Sequence, residues 1–178
     1  MLAYLFVLLA IASRFLPHPD GWVQFTPLGA ALLYFGARVP RKRMWIPLAA
    51  LIAVDVYMTK VIYAYPLKAD HVVTWVWYAG VIVLGGALLG KHITPLRVVA
   101  GSLTASVAFF VVSNFAVWAV WNMYPRTISG LATAYIAAIP FFRNQMLADL
   151  LLAGVLFTIG ALVERREEKP APGRIRAA

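Results

Sequence analysis

Apolar runs separated by short polar, proline-bearing connections set the pattern of this chain. The first run, Leu2 to Phe15, predicts a helix stopped at Leu16-Pro17-His18-Pro19, where two prolines remove backbone donors and force extended geometry. It is short for a membrane crossing, and Arg14 at its far end can snorkel to the surface or turn inward. The second run, Phe25 to Ala37, opens on Thr26-Pro27, a helix start with proline in the first turn. It carries Gly29, Ala30 and Gly36, small residues that permit close helix contact, and ends in Arg38 and the basic cluster Arg41-Lys42-Arg43. The third, Trp45 to Ile62, places Ala49 and Ala53 at small-xxx-small spacing and holds an acid, Asp55, inside an apolar run.

The fourth run, Val72 to Leu89, is glycine-rich, and Gly86-xxx-Gly90 reads as a packing signal. The fifth, Arg97 to Asn122, contains FFVVSNFAVWAVW at 109–121, apolar almost throughout but for Ser113 and the amide Asn114. A buried amide there needs a partner, because nothing in hydrocarbon supplies one. Residues 127–142 are moderately apolar, with Gly130 and Pro140 near the ends, and are expected as an interfacial or re-entrant helix. The sixth run, Asn144 to Val163, has Gln145 and Asp149 in its first two turns, and the charged stretch 164–178 is expected to be a disordered tail.

Composition agrees with the pattern. The chain has 178 residues, 62% of them hydrophobic, with a mean hydropathy of +0.79, well above a soluble domain. The expectation is an all-α polytopic membrane protein, a six-helix transmembrane bundle forming one domain over residues 1–163. The net charge of +9 falls in the gaps between runs and not on a nucleic-acid motif, so it reads as topology. There is no cysteine, which removes disulfides, thiolate metal sites and a cysteine nucleophile. The N-terminus lacks the positive segment of a signal peptide, so retention as a first helix is expected.

Eleven of the sixteen Lys and Arg residues fall in the 38–43 loop, the 91–97 loop and the tail, which puts those segments and both termini in the cytoplasm. With that orientation Arg14, Gln24, Thr26, Asp55, Asn114, Asn144, Gln145 and Asp149 all lie towards the outer face. Gln145 and Asp149 are four apart and share a helix face. The arrangement predicts a polar pocket opening outward, with Trp22, Trp75, Trp77, Tyr78, Trp118, Trp121 and Tyr124 at its level. An aromatic belt is the default reading of tryptophan there, and an interhelical hydrogen bond the default for Asn114. Asp55 and Asp149 are read equally as a structural network with Arg14 or Arg143 and as functional groups. His18, His71 and His92 share no ligand spacing and read as solvated loop residues.

Six spans, cytoplasmic ends, a proline-bearing first loop and an outer pocket resemble the S-components, the substrate-binding membrane subunits of energy-coupling-factor vitamin transporters. More narrowly, FTPLGA at 25–30, the segment Pro47 to Asp55, SNFAVW at 113–118, Tyr124-Pro125 and IPFFRNQMLAD at 139–149 resemble a family of small bacterial membrane proteins. The S-component resemblance implies capture of a scarce small molecule outside and release inside by toppling. It also implies as partners a transmembrane coupling protein and two ATPases in a bacterial inner membrane. The alanines four apart on the first helix that such proteins use for docking are missing, as is the cobalt-ligating cysteine of some solitary cobalamin carriers.

The resulting expectation is a transport subunit binding a vitamin-like molecule, a corrinoid among the candidates. Asp55, Asn114, Gln145 and Asp149 are expected to line the site, Arg14 and Thr26 to stand at its mouth and Trp118 to form an aromatic wall. No nucleotide-binding motif is present, so any ATP energy must come from a partner. No cofactor or metal is expected. The rivals are a membrane enzyme using Asp55 and Asp149 as a pair, although both lack the preceding glycines of aspartyl intramembrane proteases, and a ligand-free structural or assembly protein.

Overall fold

The computed structural model describes residues 1–16 and 26–168, which are all-helical apart from connections. Pro17, His18, Pro19, Trp22, Gln24 and the tail from residue 169 lie outside the described residues. The helices are α1 (Leu2–Ser13), α2 (Leu28–Arg38), α3 (Trp45–Tyr57), α4 (Ala69–Leu89), α5 (Pro95–Val120) and α6 (Ile128–Glu168). A 3-10 turn at Arg41–Arg43 leads into α3, and a π-helical turn at Met58–Ile62 extends it. Residues Arg41–Ile62, α4, α5 and α6 are long and apolar enough to cross a membrane.

The first two helices do not reach that length. With 12 and 11 residues they extend about 18 and 16 Å, against roughly 30 Å of hydrocarbon. They pack on each other instead, α2 inside and α1 against it. Every residue of α2 from Leu28 to Ala37 is buried, as expected of a helix apolar on all sides, and α1, α4, α5 and α6 surround it. α1 presents Ala3, Phe6, Val7 and Ala10, one helical face, while Leu5, Leu8 and Leu9 stay outside. Tyr34 of α2 is wedged edge-on between Phe6 and Phe157, with ring centroids 5.0 Å from each.

Small residues set how closely α2 is approached. A Cβ on Gly36 would overlap the Ile82 carbonyl, and one on Gly85 would overlap the Leu33 carbonyl, so α2 and α4 pack backbone to backbone. The expected Gly86-xxx-Gly90 signal is displaced accordingly. Gly85 and Gly86 face α2, whereas Gly90 closes α4, its N–H donating to the Gly86 carbonyl. On α3 the buried face is Pro47, Leu51 and Asp55, and the alanines at 49 and 53 point outward. α5 shows Val98, Gly101, Ser102, Ala105 and Ser106 to the interior.

Local chemistry fixes the ends. Thr94 caps α5 by accepting from the Arg97 N–H at 3.3 Å, with Pro95 in the first turn. Thr127 accepts from the Gly130 N–H at 3.1 Å and starts α6. The interfacial segment expected at 127–142 and the separate sixth span are one helix of 41 residues with Pro140 inside it. Proline there removes one intrahelical donor, yet packing of Phe142 on Phe110 and the Tyr135 hydroxyl bonded to the Val111 carbonyl hold the first part of α6 along α5. The helix also runs through residues 164–168, which were assigned to the tail on sequence. At that end Arg38 Nη2 lies 2.5 Å from Glu164 Oε2, tying the last turn of α2 to α6.

Candidate functional site

At the opposite end of α2 the helices leave a cavity of about 340 Å³. Arg14 comes from the end of α1, Thr26, Leu28 and Gly29 from the start of α2, and Met58 and Tyr63 from the π-helical turn and its end. Thr74, Trp77 and Tyr78 on α4, Phe109 on α5, and Gln145 and Asp149 on α6 complete the wall. A π-helical turn after Asp55 is one of the distortions that re-aim side chains at sites.

Arg14 is held by Asp55 rather than left to solvent. Its Nη1 lies 2.5 Å from Asp55 Oδ1, the Trp75 indole N–H donates to Oδ2 at 3.0 Å, and the Tyr78 hydroxyl approaches Oδ1 at 3.5 Å. Asp55 is 6% exposed and stands behind the wall. Asp149, 3% exposed, is more deeply buried and differently placed. It accepts a hydrogen bond from the Ser106 hydroxyl at 2.7 Å and, among the described residues, forms no ion pair. Gly29 makes room for it, since a Cβ there would overlap the Asp149 carboxylate. The aromatic side of the cavity is Trp77, whose indole N–H donates to the Ala105 carbonyl at 3.0 Å and whose ring lies 4.6 Å from that of Phe109.

The structure thus brings Arg14, Thr26, Gln145 and Asp149 to one cavity, with Asp55 behind Arg14. Asn114 and Trp118 are elsewhere. The Asn114 side-chain N–H donates to the Phe110 carbonyl one turn back, at 2.7 Å, and the residue borders a separate cleft of about 150 Å³. Phe109 and Gln145 border both spaces. Trp118 donates to the Pro125 carbonyl at 2.9 Å and closes the turn into α6. Because the Asn114 bond is local and its acceptor belongs to the helix already, Asn114→Ala is expected to cost less than about 1 kcal/mol in a denaturant titration in detergent.

Trp77 and Tyr78, expected at the level of the pocket, line it, whereas sequence reasoning missed Ser106, Thr74, Met58, Tyr63 and Phe109 as neighbours of the site. Ser102 and Ser106, four apart on an apolar helix, carried a faint signal of their own. Outside the cavity, Lys68 lies over the Trp121 ring at 3.5 Å and Trp121 donates to Asp70 at 3.0 Å, fastening the end of α5 to the start of α4. His71 belongs to α4 and hydrogen-bonds Thr59 at 3.1 Å, so it is not the solvated loop residue expected. Among the described residues no three metal-ligating side chains converge.

Four apolar helices of spanning length, three of them packed on a buried helix with a polar cavity beside its start, define a helical membrane protein with an interior site. The chain belongs to the family of unknown function DUF6580, whose pattern matches residues 1–171. Neither a curated protein nor a solved structure matches it.

Proposed function

We propose that this protein is a substrate-binding and transport subunit of S-component type, taking a small vitamin-like molecule from the outer face of a bacterial inner membrane. The observation that carries the reading is the cavity, which pairs a fixed cation with a buried acid, an amide and an aromatic wall. Arg14 and the start of α2 give it a positive side. Pro27 and the first turn of α2 offer no side-chain cap, and Leu28 and Gly29 border the cavity, so the helix start adds its partial positive charge to that of Arg14. Gln145 and Asp149, the latter against Gly29, read a polar edge of the ligand, and Trp77 with Phe109 takes a planar ring.

A volume of about 340 Å³ lies at the small end of ligand pockets. It suits one or two rings with a carboxylate and is too small for a corrinoid. In this reading six helices traverse or line the membrane with both termini cytoplasmic, as the distribution of Lys and Arg favours. A transmembrane coupling protein and ATPases are the partners the S-component resemblance implies. The enzymatic alternative loses ground because Asp55 is engaged by Arg14, Trp75 and Tyr78, so the cavity does not offer a pair of available carboxylates.

The test is thermal stability of the purified protein in detergent across vitamins, nucleobases and amino-acid derivatives. A ligand at a hundred times its Kd adds about 2.7 kcal/mol. Asp149→Asn is expected to abolish that gain while the unliganded protein melts near the wild type. No gain from any compound, with the variant only melting earlier, would remove the transport reading.

A further inference from the structure

A second and larger hollow, about 450 Å³, runs between the start of α5 and the end of α6. Among the described residues these two helices and Ile93, just before α5, wall it, so it opens sideways from the bundle. Two of its lining residues, Val99 and Leu162, are 43% and 54% exposed. In a membrane protein that side faces acyl chains. Its walls are apolar, with Val98 and Phe157 at the floor, except at three positions, one of which, Thr158, spends its hydroxyl on the Gly154 carbonyl at 2.7 Å.

Ser102 is 3% exposed, and its hydroxyl has no hydrogen-bond partner among the described residues. A buried hydroxyl without a partner costs free energy, so its position calls for an acceptor from outside the chain. Ser102 lies seven residues into α5, about 10 Å from the helix start. Arg165, in the last turn of α6, stands at the end of the groove. The acid next to it in sequence, Glu164, is engaged by Arg38, and Glu167 and Glu168 follow Arg166 in the same turn. At Gly154 an added Cβ would meet nothing within 4 Å, so the missing side chain serves no packing and keeps the groove open.

We propose that this groove binds one anionic phospholipid from the surrounding leaflet. Arg165 takes the phosphate, the Ser102 hydroxyl donates to an ester carbonyl at the depth where such a lipid carries one, and an acyl chain lies along Val98 and Phe157. The inference rests on membrane embedding and not on the transport reading.

Native mass spectrometry of the full chain, titrated with phosphatidylglycerol or phosphatidylcholine, tests it. Retention of phosphatidylglycerol is expected to exceed that of phosphatidylcholine about fivefold, the size of one surface cation. Arg165→Gln should remove that preference. Gly154→Leu should fill the groove and lower retention of both lipids about tenfold, with the lipid-free melting temperature unchanged. If Gly154→Leu does not fold, Ser102→Ala takes its place and should weaken retention about threefold. Retention by the groove variants equal to wild type would overturn the proposal, as would displacement of the lipid by inorganic phosphate, which would leave only an anion on Arg165.

Discussion

Asp55→Ala is expected to destabilise the protein by about 3–5 kcal/mol, the largest effect of any single side chain in the cavity region. The loss is not that of one favourable contact. Removing the carboxylate leaves the Arg14 guanidinium, whose side chain is 21% exposed, without its counter-charge, and leaves the Trp75 and Tyr78 donors without their acceptor. Water can reach part of Arg14, which places the expected value towards the lower end of that range. The double replacement Arg14→Met with Asp55→Leu should recover the part of the loss that comes from the stranded Arg14 charge, while the Trp75 and Tyr78 donors stay without their acceptor. Unfolding in denaturant, followed by tryptophan fluorescence in detergent, of wild type, Arg14→Met, Asp55→Leu and the double variant gives all four corners of the cycle. A cost below about 1 kcal/mol for Asp55→Ala would mean that solvent screens the pair and that Arg14 is not fixed by it.

The two acids inside the apolar runs illustrate what sequence reading reaches. Both stood out because ionised groups are costly in hydrocarbon, and both are buried. Which of them faces the cavity was not legible, since that depends on where Arg14 ends α1 relative to the side of α3. Gln145 and Asp149 were legible as a pair from their spacing alone. Asn114 misled because an amide bonded to its own helix and one bonded across helices look identical in a string of residues. The continuity of α6 was hidden by Pro140, Arg143 and Asn144, which break the apolar pattern without breaking the helix.

The central role of α2 was the least visible feature. It has 11 residues, too few to mark a crossing, and its composition resembles that of the other runs. Its importance lies in being surrounded, a property of the other helices. The same burial links the two ends of the molecule. α2 starts at the cavity with Leu28 and Gly29 and finishes at the Arg38–Glu164 pair, so any displacement of it reaches the site.

That dependence makes the α2–α4 contact the second place where a single atom should matter. Gly36→Ala and Gly85→Ala are each expected to cost about 2–3 kcal/mol, because the new methyl group meets a backbone carbonyl, which cannot rotate away as a side chain can. The helices must separate, and neighbours such as Leu33 and Ile82 lose contacts along the interface. Since the two glycines share one interface, the double variant should cost less than the sum of the singles. Gly80→Ala is the control on the same helix, since its Cβ meets nothing within 4 Å, and alanine's helix preference should stabilise by up to about 1 kcal/mol. The effect should also reach the cavity, with any ligand that stabilises the wild type stabilising Gly36→Ala less, because α2 carries one wall of the site. A Gly36→Ala protein as stable as Gly80→Ala would show that α2 and α4 are not in backbone contact, and the placement of Gly29 against Asp149 would then need revision as well.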